Sequence, residues 1–257
     1  LAVNLMVLSH LGVFFFITLK NMKSNNFFLK GSKSLEIFHT LGVLAHTVFI
    51  ILVGINMVNS YKNTEKKITD KLSKSNVKLS KSNVKLEYAK KNVKRALFIA
   101  LLGGIMSILT FLIFGDWYII FGIFQFIAVS ILLTIPIQIN YSHTLAGSLI
   151  IILLILKSIK FSKQKSINLM SIITGRLTQQ NKFLDFFPVI PYFILILIGV
   201  FLGNLNLKAE FTNTAKNNKI VKEIGSMGRW SIQLYFLHII IIFGIMKIIL
   251  GKGKIKI

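Results

Sequence analysis

The chain has 257 residues, 54% of them hydrophobic, and a mean hydropathy of +0.70, which is too apolar for an ordinary soluble domain. It has no cysteine, which excludes disulfides, thiolate metal sites and a cysteine nucleophile. A net charge of +23 would suggest nucleic acid in a soluble protein; here lysine-rich loops that fix membrane topology and meet anionic headgroups account for it, and no nucleic-acid partner is expected.

The apolar residues gather into blocks of about 20, enough to cross a bilayer. In chain order they predict seven spans: Leu1–Leu19, Ile37–Asn59, Ala96–Gly115, Tyr118–Ile139, Thr144–Ile159, Val189–Leu207 and Trp230–Leu250. The fifth is short and ends at Lys157 and Lys160. The expected fold is all-α, with residues 1–257 forming one polytopic transmembrane bundle and membrane lipid as its first partner. Its oligomeric state is open, a homo-oligomer included. The chain starts at LAVNLMVLSH without Met or a charged flank, which points to an upstream segment, and no cleavable signal peptide is visible.

Residues 60–95 form the strongest orientation signal, with eleven lysines and Arg95. The positive-inside rule makes this loop cytoplasmic. The loops around residues 20–36, Asp116 and residues 160–187 then face outward, although the last is itself basic. Within the cytoplasmic loop LSKSNVK occurs at 72–78 and again at 79–85. Leu72, Leu79 and Leu86 are seven apart, but no apolar residue fills the second seam position that a coiled coil needs. A polar, helix-compatible spacer is expected.

Acids are scarce, so their positions carry information. Glu65, Asp70, Glu87, Glu210 and Glu223 fall in basic cytoplasmic loops, while Glu36, Asp116 and Asp185 fall at outer helix ends. Of five histidines, His10, His46 and His238 fall inside spans. A polar ring in hydrocarbon needs a partner or a wet cavity. The bland reading of each is a hydrogen bond to a neighbouring helix. His39 and His46 are seven apart and share a helix face. Histidine suits proton transfer near neutral pH. No pair has the spacing of H-E-x-x-H, no phosphate loop or nucleophile elbow occurs, and no metal site is expected. Gly103 and Gly104 read as a close helix contact.

The stretch LDFFPVIPYFILILIGVFLG, residues 184–203, places Asp185, Pro188 and Pro191 before a very apolar helix. Proline in a first turn and an acid at the positive end of the helix dipole explain it without catalysis, and Phe186, Phe187 and Tyr192 suit the interface.

That stretch also resembles the DYFPLLPW…G signature of the heparan-α-glucosaminide N-acetyltransferase catalytic-domain family, which is polytopic. LAVNLMVLSHLGVFF resembles the family's first-helix pattern ending in His. FGDWYIIFGIFQFIAVSILL resembles its FGIL-H-FIG stretch, with Gln125 in place of the His. WSIQLYFLHIII resembles its late LYLIHQP segment, with Ile239 and Ile240 in place of Gln-Pro. The Arg-Gly pair that precedes the first pattern in the family is absent.

The resemblance implies acetyl transfer from cytoplasmic acetyl-CoA to an amino or hydroxyl group of an extracytoplasmic sugar. It offers His10 or His39 as acetyl carrier or base, with Asp185 orienting that His or meeting the acceptor. Gln125, His238 and Asp116 are the positions it offers for substrate. An acyltransferase of another membrane class also keeps a key His in its first helix, which favours His10 by analogy. Two rivals stand beside this reading. One is a transporter or channel using the same histidines, against which the lack of an inverted repeat weighs. The other is an inactive family member, which the departures at Gln125 and after His238 keep open.

Overall fold

A computed structural model of the chain describes residues 32–73, 81–114, 118–159, 168–176 and 185–205, with isolated helical positions at Leu237, Ile240, Ile241 and Gly244. Among the described residues the elements are helices: α1 Ser32–Ser73, α2 Lys81–Phe114, α3 Ile123–Ile139, α4 His143–Ser158, α5 Leu169–Thr174 and α6 Val189–Asn204. The chain divides into two compact units, one of residues 1–49 and 208–257, the other Ile50–Leu207. The expected first span lies outside the described residues, as does the seventh apart from those isolated positions.

In the first unit, the continuous described part is the beginning of α1. Ala45 is buried, and Thr47 returns its hydroxyl to the Val43 carbonyl at 2.8 Å, which satisfies a polar group within an apolar helix.

The second unit is built around α6, apolar on every side, and α3, apolar but for Gln125 and the buried line Ser130, Thr134 and Gln138. Phe126, Ile196, Leu197 and Val200 are fully buried there, as such helices require. α4, in contrast, buries only Ala146 and presents Ile151, Ile152, Leu154 and Ile155 outward. α2 likewise exposes Leu97, Leu101, Ile108 and Leu112, by 61–72% of their surface. Apolar surface on this scale is stable against lipid and not against water.

Close helix contact is set by glycine. α1 crosses α6 where Gly54 faces Gly199, and a β-carbon on either would strike the other helix's backbone, at Ile196 O or Ile51 O. Gly203, four residues on, has the Val58 side chain against it, 3.0 Å from where its β-carbon would lie. This is the small-xxx-small solution to helix association in lipid.

Two helices among the described residues are long and apolar enough to cross a membrane, α1 over Thr40–Lys71 and α2 over Ser82–Leu112. α3, α4 and α6 are apolar but have only 16 or 17 residues. At 1.5 Å per residue, the 42 residues of α1 reach about 63 Å and the 34 of α2 about 51 Å, well beyond a hydrocarbon core of about 30 Å. Both therefore run past the ends of their apolar segments into the basic region. Residues 60–73 and 81–95 are helical, because Lys, Glu, Asn and Ser between apolar anchors cost a helix little.

The two basic ends pack together. The Tyr61 and Tyr88 rings meet edge to face at 5.1 Å, Asn92 Nδ2 donates to Ser60 Oγ at 3.5 Å, and Val84 and Thr64 are buried. The seam is thus Val84, Tyr88 and Asn92, spaced by four. Leu86 of the duplicated-repeat register is 54% exposed. Two lysines of these basic ends reach helix C-terminal ends, which favour cations. Lys62 Nζ donates to Gly203 O at 3.0 Å, near the end of α6. Lys85 Nζ donates to Asn140 Oδ1 at 3.5 Å, at the C-cap of α3.

Candidate functional site

The N-terminus of α3 leaves several backbone N–H groups without intrahelical partners. Two are taken by side chains that the sequence had marked. The Gly122 N–H donates to Gln125 Oε1 at 3.0 Å, half of a capping box. The Ile123 N–H donates to Asp185 Oδ2 at 3.4 Å. Asp185 arrives from the strand-like approach to α6: Phe187 N donates to Phe121 O at 2.8 Å, and Phe121 pairs with Phe186 in a single parallel bridge. Asp185 therefore serves the dipole of α3 and not that of α6, the helix it precedes in sequence. Pro188 is the N-cap of α6.

Gly122 makes the approach possible. A β-carbon there would lie 2.6 Å from Ile119 Cγ2, 3.1 Å from Asp185 Oδ2 and 3.4 Å from Gln125 Oε1. Asp185 and Gln125 thus flank one residue with their oxygens. Gln125 is fixed on its other side as well. Its Nε2 donates to Gly103 O at 2.9 Å and Ser107 Oγ at 2.8 Å, which ties α3 to α2. Gly103 has no room for a β-carbon because Gln125 Cδ would lie 2.8 Å away. Gly104 meets nothing among the described residues, so the close contact belongs to Gly103 alone. Thr110 Oγ1, also on α2, accepts from Ile119 N at 3.1 Å.

Asp185 is half-buried as a residue, and its carboxyl sits deep among neighbouring atoms. Burial pushes that carboxyl up to about 7, against the N–H groups of Ile123 and Phe186, which hold it down. A carboxyl poised near neutrality can accept or give a proton at working pH. Around it, Phe187 and Tyr192 stand 4.8 Å apart and Phe126 6.2 and 6.0 Å from them. Gly175, left-handed at φ 75, ends α5 and packs on Pro188, whose Cγ would lie 2.6 Å from a β-carbon there.

At the other end of α3 a second polar group forms. Asn204 Nδ2 donates to Gln138 Oε1 at 3.1 Å, and the Tyr141 hydroxyl meets His143 Nδ1 at 3.0 Å. Burial raises the Tyr141 hydroxyl above its ordinary value. Between the basic ends of α1 and α2 lies a cleft of about 400 Å³ lined by Thr64, Lys67, Ile68, Lys71, Asn83, Leu86 and Glu87. The 17 residues of α3 set the Asp185 end about 25 Å from the Asn140 end.

Of the remaining residues marked in the sequence, His10, Asp116 and His238 lie outside the described residues. His39 lies on the described backbone of α1, and His46 is half-buried on the same helix. Gly122, Ser107 and Thr110 were not marked. No sequence pattern singled out Gly122, and the two hydroxyls gave no signal either, since Ser and Thr in apolar helices most often return to their own backbone.

A chain whose described elements are helices, two of them of membrane-crossing length, with apolar outward surface and a half-buried acid at a helix end, is a membrane-embedded protein with a polar centre. Its family follows from the sequence: the chain belongs to the heparan-α-glucosaminide N-acetyltransferase catalytic-domain family, whose model matches residues 1–240. Membership points to a membrane acetyltransferase. No curated protein and no solved structure matches the chain.

Proposed function

We propose that this chain is a multi-pass membrane acetyltransferase that takes acetyl from cytoplasmic acetyl-CoA and delivers it to an amino or hydroxyl group of an extracytoplasmic sugar. The observation that carries the reading is the family match over residues 1–240 together with a carboxyl near neutral pKa at the head of α3. Donor chemistry belongs to the basic end, where Lys67 and Lys71 supply positive charge for the phosphates of the donor. Acceptor chemistry belongs to the Asp185 end. The separation of about 25 Å along α3 suits a reaction whose donor and acceptor stay on opposite sides.

His10 or His39 either carries the acetyl group or takes the acceptor's proton. As carrier, its imidazole attacks the thioester carbonyl, the C–S bond breaks and the CoA thiol leaves. The acceptor nitrogen or oxygen then attacks the acetyl carbon, the acetyl–imidazole C–N bond breaks to return the free histidine, and the acceptor's proton passes to a base. Asp185 accepts a hydrogen bond from the acceptor. Gln125, through the remaining lone pair of Oε1, Asp116 and His238 complete the acceptor side.

The test is transfer of labelled acetyl by protein in vesicles. His10→Ala or His39→Ala should lower transfer by about 100-fold or more at normal expression. Unchanged transfer in both variants removes this mechanism.

A further inference from the structure

Gln125 stands where the family pattern has a histidine, and its place at the head of α3 gives it a task of its own. It accepts the N–H of Gly122, and Asp185 accepts the N–H of the next residue, Ile123. The two oxygens share Gly122 as a neighbour, at 3.1 Å and 3.4 Å from the position of its absent β-carbon. Two side chains thus divide two adjacent N–H donors between them. A carboxylate that collects more backbone N–H groups is held more firmly in its charged form.

We propose that Gln125 is a positioning residue for Asp185: by occupying the Gly122 N–H it limits the donors the Asp185 carboxyl can collect and keeps that carboxyl a proton-exchanging group. The amide is held to this task by its other end, where Nε2 donates to Gly103 O and Ser107 Oγ. That leaves Oε1 facing Gly122. A histidine at this position would offer a ring nitrogen in place of the forked amide, with one donor and one acceptor in its neutral form. The role rests on the reading of Asp185 as part of the acetyl-transfer site.

Among the described residues the other groups that bear on Asp185 are few. α3 and α5 carry no titratable side chain, and α2 carries none after Arg95. From α6 Tyr192 lies within electrostatic range. Gln125 is therefore the neighbour whose change should be felt.

The test reads Asp185 itself and needs no acetyl donor. The protein is labelled with carbon-13 aspartate, and the carboxyl titration is followed by infrared difference spectroscopy, with Asp185→Asn assigning the band. Gln125→Met removes the acceptor and frees the Gly122 N–H, so the Asp185 midpoint should fall by about one pH unit, a tenfold change in proton affinity. Gln125→Glu keeps an acceptor on Gly122 and adds a like charge, so the midpoint should rise. Ser107→Ala weakens the tie to α2 but leaves Oε1 in place, so the midpoint should hold. Loosening of the α2–α3 contact alone would move Met and Glu variants the same way, and that result, or no shift in either, overturns the proposal. The two signs are read together, and Gln125→Leu, which also removes the acceptor, replaces Gln125→Met where that variant does not fold. If these shifts appear in a protein that transfers no acetyl, the role of Gln125 stands and the acetyltransferase reading fails. If acetyl transfer occurs without them, the reverse holds.

Discussion

Replacing Asp185 with asparagine should stabilise the protein at high pH and leave it unchanged at low pH. The carboxyl is pushed to about 7 in the fold against 3.8 for the free group. Between those values the folded protein holds a proton that the unfolded chain has lost. Stability therefore falls as pH rises from about 4 to about 7 and is level above that. A difference of about three units corresponds to about 4 kcal/mol at about 1.4 kcal/mol per unit, reduced by whatever the partial exposure of Asp185 screens. Asparagine keeps an oxygen for the Ile123 N–H and carries no charge, so Asp185→Asn should lack this slope. Thermal unfolding in detergent, followed by circular dichroism from pH 4 to pH 8, reads it directly. The wild type and the variant should coincide near pH 4, and the variant should unfold at higher temperature at pH 8. A difference that does not change with pH, or one that favours the wild type at pH 8, would refute the reasoning about the buried carboxyl. A gain in stability alongside a loss of acetyl transfer is the signature of a charge kept for function.

Other substitutions test the packing. Gly199→Ala or Gly54→Ala drives a β-carbon into the facing backbone and should cost about 1–3 kcal/mol or more, seen as a lower unfolding temperature, whereas Gly104→Ala should gain up to about 1 kcal/mol from helix propensity. Tyr88 is fully buried with no hydrogen-bond partner for its hydroxyl among the described residues, so Tyr88→Phe should be neutral or slightly stabilising in the same assay. Asn92→Leu removes the donor to Tyr88 O and Ser60 Oγ and should destabilise by about 1 kcal/mol.

Hydropathy located the apolar cores of α1, α2, α3, α4 and α6 because burial in lipid leaves few other solutions for such segments. It gave membrane spans and not helix ends, so the continuation of α1 and α2 through residues 60–73 and 81–95 was outside its reach, since loss of apolar character marks the water boundary and not the end of hydrogen bonding. The short α5 was read as loop, as six residues with a glycine stop carry little periodicity. At the site, the residues were legible and their arrangement was not. Asp185 looked like a cap for its own helix because sequence distance is visible and spatial distance is not. The single bridge between Phe121 and Phe186, which carries the acid to α3, rests on backbone groups that no side-chain pattern records. Gln125 was marked as a departure from a family pattern, and its grip on Gly103 and Ser107 came only from the fold.

The most direct measurement of the central claim uses vesicles of known orientation, with glucosamine trapped inside and acetyl-labelled acetyl-CoA added to the face that carries residues 60–95. The account expects labelled N-acetylglucosamine inside the vesicles, dependent on Asp185 and on His10 or His39. Label found only on acceptor supplied to the donor's own side would contradict transfer across the membrane, and a folded, full-length protein that moves no label at all would contradict the acetyltransferase itself.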